Sequence, residues 1–279
     1  MKTAAPACER YLAEAAAAGL VEQARGHRYV VGVHEDPLSN ERRLLVEYCD
    51  EELLTDLAWL TRLVEQARAL EPAVAAVVVR APGTVRLDDP WQRTISYVIH
   101  PADSADAASG APAVPGVTVS PAETAQDEDR ITEWLARAMV DGSADHGHTA
   151  DPATAVPLAR ECLSDPDRFS YLARLGGTAV GHATLLCAAQ DEVTGRRAVE
   201  LVDILVELAD RPRRGAVAAA LTSAALAHAH RLDLPLLGHV VHPSAQSAAD
   251  HGDRIVAALL TQGWNLDHVF WRRSLHPSR

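Results

Sequence analysis

Apolar positions along the chain fall into segments with the 3.6-residue period of a helix and segments that alternate like a strand. Residues 8–25, CERYLAEAAAAGLVEQAR, carry helical spacing, and 51–71, EELLTDLAWLTRLVEQARALE, are strongly amphipathic. Between them RYVVGVHE and RRLLVEYCD read as two strands around a DPLSN turn, and AVAAVVVR and QRTISYVIH add two more after the second helix. Residues 100–116, HPADSADAASGAPAVPG, show neither period and are rich in Ala, Ser, Asp, Pro and Gly. A linker and a domain boundary near residue 110 are expected there.

The pattern then resumes. VTVSPA reads as a strand, DEDRITEWLARAMVD as a helix, GSADHGHTADP as a polar loop and ATAVPLARECLS as a second helix. RFSYLARLGGTAVGHATLLCAAQ alternates around a Gly-Gly turn, the mark of a hairpin, and RAVELVDILVEL continues as a third strand. A helix from about Ala216 to Arg231, the strand PLLGHVVH, the helix GDRIVAALLTQG and the strand HVFWRRSL complete the half. The fold class is α/β or α+β.

Composition narrows the function more than the fold. A chain of 279 residues with 48% hydrophobic residues can build cores for two domains. The 26 basic residues against 38 acidic ones give a net charge of -12, a deficit both halves share, so neither offers a basic face to nucleic acid. The four cysteines, Cys8, Cys49, Cys162 and Cys187, form no CxxC pair and follow no secretory signal, so reduced thiols in a cytoplasm are expected. Apolar runs such as PAVAAVVV fall short of the roughly 20 residues that span a bilayer.

Two stretches carry candidate chemistry. LADRPRRGAVAAAL, residues 208–221, joins a strand end to a helix through two arginines and a glycine. A helix start presents unpaired N–H donors and a partial positive charge, and small residues let an anion approach the backbone. An ordinary helix with a basic first turn accounts for each residue singly, though not for their place after a hairpin. The strand AVELVDILVEL holds Glu200, Asp203 and Glu207 among apolar neighbours, where acids need a partner or a role. By alternation Asp203 and Glu207 share a face and Glu200 takes the other, unless a bulge intervenes. Arginines near Glu207 offer it pairing.

The order strand, two helices, three antiparallel strands, glycine-bearing turn, helix, strand, helix, strand resembles the GNAT superfamily of acyl-CoA N-acyltransferases over about residues 117–275. That family holds the CoA pyrophosphate in a turn written Arg/Gln-x-x-Gly-x-Gly/Ala. Here Arg213, Arg214, Gly215, Ala216, Val217 and Ala218 align with it, preceded by Leu208 and Ala209, with Leu221 on the buried face of the helix. Ala216 stands where glycine is usual, which is harmless if the backbone is helical and costly if φ is positive. The family's helix ending LYxxxGF is matched by ALLTQGW, 258–264, with Leu259 in place of the tyrosine that often protonates the departing thiolate. The first half, ending LDDPWQRTISYVIH, looks like a degenerate unit without the cofactor turn. The whole is similar to the tandem arrangement of mycothiol synthase-like proteins.

The resemblance implies two GNAT-like domains, 1–110 as scaffold and cleft wall and 111–279 as the catalytic unit, with mixed, mostly antiparallel sheets flanked by helices. It implies transfer of an acetyl group from acetyl-CoA to the primary amine of a small polar metabolite, in specialised metabolism, by direct attack in a ternary complex. Asp203 and Glu200 become candidates for the base or the ammonium anchor. The strand PLLGHVVHP ends with His239 and His242; His242 is a candidate for a direct role and Ser244 for a thiolate proton donor. The DHGH loop, Asp145 to His148, lacks the spacing of a metal site and is read as solvated, bordering the acceptor cleft. An aminoacyl-tRNA-dependent transferase would need no pyrophosphate turn, but -12 is a poor start for tRNA. A non-catalytic module that binds CoA or a metabolite is the remaining alternative.

Overall fold

In the first half the elements are α1 (Pro6–Ala17), β1 (Val21–Ala24), β2 (His27–Glu35), β3 (Arg42–Cys49), α2 (Glu51–Leu54), α3 (Leu57–Leu70), β4 (Ala76–Pro82) and β5 (Gln92–His100). The second half adds β6 (Val117–Pro121), α4 (Ala125–Asp145), α5 (Pro152–Leu163), β7 (Arg168–Leu175), β8 (Thr178–Gln190) and β9 (Arg197–Val206). It ends with α6 (Arg211–Arg231), β10 (Leu236–Val241), α7 (Ala249–Thr261) and β11 (Asn265–Ser274). The computed structural model describes residues 6–70, 74–103, 114–244 and 249–275; most of the expected linker, 104–113, lies outside them.

All eleven strands join one sheet, in the order β1-β2-β3-β4-β11-β5-β10-β9-β8-β7-β6. The fold class is as expected, α/β with a mostly antiparallel sheet flanked by helices; β3/β4 and β9/β10 are the parallel pairs. The two halves interleave. The last strand, β11, lies between β4 and β5, and β5 in turn pairs with β10.

Three expectations are corrected. The first helix stops at Ala17, and Val21–Ala24 pairs with Arg28–Val30 and His27 of β2: a ladder of backbone hydrogen bonds outweighs the helical spacing of a four-residue stretch. The long helix at 51–71 is two, because Asp56 turns its carboxylate back to accept from the N–H groups of Ala58 (3.0 Å) and Trp59 (3.2 Å) and so starts a new helix. The helix expected from Ala216 begins at Arg211, with Asp210 at its N-cap position and Pro212 in its first turn, where a missing N–H costs nothing.

Strand register shows which side chains share a face. Val79, Trp271, Ser96, Val240 and Val199 lie on one side, under α3, α7 and α6; Val77, Val79, Leu60, Leu63, Trp59, Val269 and Trp271 form one core there, and Ala183, Leu185, Leu201, Val217 and Leu221 another. On the opposite side α1 covers Val30, while Ile131, Trp134, Ala155 and Ala159 of α4 and α5 cover Leu172. Between these two helical covers, the middle of the second face carries Arg80, Phe270, His268, Tyr97, His239 and Glu200.

Gly83, just past β4, donates its N–H to the carbonyl of Asp267 (2.9 Å), and a Cβ there would fall 2.6 Å from the backbone oxygen of Leu266. No flexible atom can yield to it. Gly83→Ala is therefore expected to cost about 1–3 kcal/mol, read as a lower midpoint in urea with an unchanged slope.

Candidate functional site

The cofactor side begins at the start of α6. Arg214 donates its N–H to Asp210 O (2.8 Å), Pro212 has none, and the N–H groups of Arg211 and Arg213 are left without an intrahelical acceptor. Asp210 makes no side-chain cap hydrogen bond, so its carboxylate does not use them up. Arg214, Gly215, Ala216 and Ala209 are exposed, and a Cβ at Gly215 would meet nothing within 4 Å. Ala216 is helical, so alanine is harmless there. Arg213 instead holds the start of β6, donating to Pro115 O at 3.0 Å.

Not all the expected cofactor residues face outward. Val217 is fully buried on the sheet with Leu221, and Leu208 packs on the same core, so these two hold the helix in place. Ala218 is half-buried beside them. The exposed start of α6 can accept an anion, with two backbone donors and Arg214 to hold it.

The strands beside it separate. β9 and β10 pair only at Val199–Leu236 and Glu200–Leu237, and beyond that point they diverge. β9 also bulges, with Asp203 opposite Thr184 and Leu201 opposite Leu185, so Val202 is the extra residue. The bulge breaks the alternation expected from sequence. Glu200, opposite Leu186, and Asp203, opposite Thr184, come to one face, where the plain period-two count separates them.

These three acids end in different surroundings. Glu207 is clamped by Arg130 (2.6 Å) and Arg137 (2.6 Å) of α4, an ordinary ion-pair group. Asp203 has its Oδ2 3.0 Å from Nε2 of His182, which is fully buried and stacked on Trp134 at 5.5 Å between centroids. His182 Nδ1 reaches Thr184 Oγ1 (3.1 Å), which meets Ser170 Oγ (3.0 Å), so a polar chain runs under α4 as far as His182; the close contact to Asp203 lacks hydrogen-bond geometry and leaves both facing atoms buried without a hydrogen bond. Glu200 is half-buried, has no hydrogen-bond or ion-pair partner among the described residues, and burial raises its pKa. A carboxylate in that state is a ready proton acceptor.

Across the gap stands His239, two residues beyond Leu237 on the same face of β10. It is exposed; surrounding protein lowers its pKa, and Asp203 opposes the shift. Tyr97 lies beside it at 5.9 Å between rings and is stacked on His268 at 4.3 Å, with Phe270 at 6.0 Å. Burial, then the charge of Glu200, pushes the Tyr97 hydroxyl up to about 12.

His242 and Ser244 lie elsewhere. His242 is on the α7 side, with Nε2 2.8 Å from the buried Ser96 Oγ, and a Cβ on Gly252 of α7 would lie 2.5 Å from its Nδ1. Burial first, then Arg93, pulls its pKa down to about 4. It packs against Ser96 on the face of the sheet opposite His239. Ser244 donates its hydroxyl to Asp145 O (3.1 Å) at the end of α4. The α4–α5 loop touches the first half: His148 Nε2 is 3.4 Å from Glu41 Oε2, itself gripped by Arg272 at 2.5 and 2.7 Å.

Leu259, where the family has tyrosine, is explained by the end of α7. Gly263 at φ +85° closes the helix, Trp264 donates its N–H to Leu259 O (3.2 Å), and both side chains enter one core. Of the residues the sequence did not single out, Tyr97, His182 and His268 stand out as polar rings on otherwise apolar strands.

No family model and no curated protein matches the sequence. Among solved structures, a GCN5-related N-acetyltransferase from Sphaerobacter thermophilus is similar at 17% identity, covering 91% of this chain and 78% of that one, with a TM-score of 0.51. A GCN5-related N-acetyltransferase from Kribbella flavida (14% identity, 99% and 98% covered, TM-score 0.45) also matches. So does a tandem GNAT protein from the clavulanic acid biosynthesis pathway (14% identity, 92% and 82% covered, TM-score 0.46). With β9 and β10 diverging beside the start of α6, this chain has the fold of the GCN5-related N-acetyltransferases.

Proposed function

We propose that the chain is an acyl-CoA-dependent N-acyltransferase, moving an acyl group, acetyl in the simplest case, to the primary amine of a small polar acceptor. The observation that carries the reading is the two-residue pairing of β9 and β10. It leaves a gap with a basic helix start on one side of the sheet and, on the other, a carboxylate that has no partner among the described residues. No helix among the described residues is long and apolar enough to cross a membrane, and all four cysteines are free thiols, which suits the cytoplasmic setting we assign it.

Acyl-CoA would supply an activated thioester carbonyl. Arg214 and the N–H groups of Arg211 and Arg213 would hold its diphosphate. Glu200, directly or through a water, takes a proton from the acceptor ammonium so that a neutral amine attacks; the N–C bond forms and the C–S bond breaks. His239, neutral near pH 7, offers a hydrogen bond across the gap. Asp203, beside His182, adds negative charge that favours a cationic acceptor. The acidic surface favours the same class.

Calorimetry with acetyl-CoA tests the donor. Micromolar binding is expected for the wild type and at least about tenfold weaker binding for Arg213→Ala/Arg214→Ala, since hydrogen bonds to charged groups contribute about 1.5–3 kcal/mol. The single Arg214→Ala variant separates phosphate contact from the Arg213 tether to Pro115. Thiol release across an amine panel then identifies the acceptor. Absence of heat with acetyl-CoA would rule out CoA as the carrier of the acyl group.

A further inference from the structure

We propose that Asp267 and His268 form a second proton-accepting dyad, in which His268 Nε2 meets the acceptor amine; the inference rests on the acyl-transfer reading above. A primary ammonium that becomes an amide must shed two protons. One finishes on the departing sulfur and one in solvent, but both leave nitrogen inside the cleft. Glu200 can take the first of them, and once protonated it must discharge before it can take another; a second acceptor removes that wait.

The last strand supplies it through a bulge. In the β11–β5 ladder Leu266 faces Val98 and His268 faces Tyr97, so Asp267 is the extra residue. Consecutive strand side chains ordinarily point to opposite faces; here the bulge lets the Asp267 carboxylate reach Nδ1 of its own neighbour, 2.7 Å away. The bulge is held from both sides. Gly83 donates to the Asp267 carbonyl from β4, and Arg196, at the start of β9, grips the carboxylate with two bonds of 2.7 and 2.6 Å.

This arrangement sets the tautomer. A carboxylate only accepts, so Nδ1 carries the proton and Nε2 keeps its lone pair. His268 is 7% exposed, and its Nε2 has no hydrogen-bond partner among the described residues. Tyr97, stacked at 4.3 Å and 13°, fixes the ring plane, and Phe270 meets the ring edge at 5.6 Å. Register carries the face from His268 through Tyr97 to His239, and β10 to Glu200, so dyad and carboxylate lie on the same face of the sheet.

The charged groups around His268 come from four elements: Asp267 on its own strand, Arg80 on β4, and Asp191 and Arg196 flanking the β8–β9 turn, with the Tyr97 hydroxyl on β5. Burial lowers the proton affinity of the ring, and Asp267 opposes that shift. The resting imidazole is therefore neutral, and the imidazolium formed on accepting the proton is stabilised by Asp267. The nitrogen–hydrogen bond of the amine breaks, the Nε2–H bond forms, and this proton passes through water to the departing thiolate, while the proton taken by Glu200 is released to solvent.

The test uses the full chain with His268→Phe, which keeps a ring on Tyr97, and Asp267→Asn, which keeps the shape of the bulge. Nitrogen-15 spectra of histidine are expected to show His268 with its proton on Nδ1 in the wild type and a mixture in Asp267→Asn. With the best acceptor of the amine panel, His268→Phe is expected to lower kcat/KM for the amine about 10²–10⁴-fold with acetyl-CoA affinity unchanged. Asp267→Asn should shift the acid limb of the kcat/KM profile to lower pH. A residue that merely staples the bulge would change stability and leave the tautomer-dependent limb in place. An Nε2–H tautomer, or wild-type kinetics in His268→Phe, overturns the dyad alone. A wild type that binds acetyl-CoA but acylates no amine overturns the transfer reading, and the dyad's role falls with it.

Discussion

Glu200→Gln is expected to slow acyl transfer about 10²–10⁴-fold while leaving acetyl-CoA binding intact. The amide keeps the size of the side chain and its place beside the strand gap, but it cannot take a proton. In the wild type, burial raises the carboxyl above the usual carboxylate range. The Glu200 ionisation in the acid limb of kcat/KM should therefore lie at higher pH than for an ordinary glutamate, and that ionisation, as distinct from the one set by His268, should vanish in the variant. The same shift has a sign for stability. A carboxyl whose folded pKa is raised stabilises the fold only below its unfolded pKa, and that contribution is lost as pH rises through the folded pKa. At neutral pH the variant should be as stable as the wild type or more so, by thermal melting. Loss of activity together with gained stability is what a functional charge held without a partner would give. Unchanged turnover would move the base to Asp203 or His239.

Asp191→Ala should cost about 3–5 kcal/mol of stability, because it leaves a nearly buried arginine without its anion. Asp191 and Arg80 form an ion pair with side chains 9% and 12% exposed, and the Asp191 carboxylate also accepts from Thr194 N (2.7 Å) and Oγ1 (2.9 Å). Burial alone would raise its pKa, but Arg80 and Thr194 bring it below the model-peptide value. The stabilisation is thus present at neutral pH and is lost as pH falls through the depressed folded pKa. The apolar pair Arg80→Met/Asp191→Leu should recover most of the loss in urea titrations. If the single and double variants are equally unstable, the ion pair is not what holds this corner. Function should follow, since the same turn seats Val193 on Tyr11, Leu12 and Ala15 of α1, and Arg80 lies on the sheet face that carries Tyr97 and His239.

Much of this molecule is legible in its pattern. β5 begins and ends where alternation predicts, at 92 and 100, and the hairpin of β7 and β8 turns at the Gly-Gly pair. What escapes the pattern are events of one residue. The bulge at Val202 turns Glu200 to the side of Asp203, and the bulge at Asp267 joins two neighbours that a regular strand would part. Nothing in local composition marks either, because both arise from how a strand fits its partner. His242 has the sequence setting of a catalytic histidine at a strand end, yet it bonds Ser96 on the α7 side of the sheet, while His239 three residues earlier points to the opposite face. The start of α6 needs Asp210 and Pro212 to be weighed as helix-entry residues, which an arginine-glycine motif obscures.

The place of β11 between β4 and β5 governs how the chain can reach this state during synthesis. When the first hundred residues have left the ribosome, β4 and β5 have no common neighbour, and each presents a row of unpaired amide groups. That gap closes only after residues 265–274 have been made, about 165 residues later. The first half is thus expected to remain incompletely ordered through most of translation, and its folding rate to be limited by a contact between distant parts of the chain. Separating the halves at the linker would leave each with an open strand edge, so the two expressed apart should aggregate or recombine with each other.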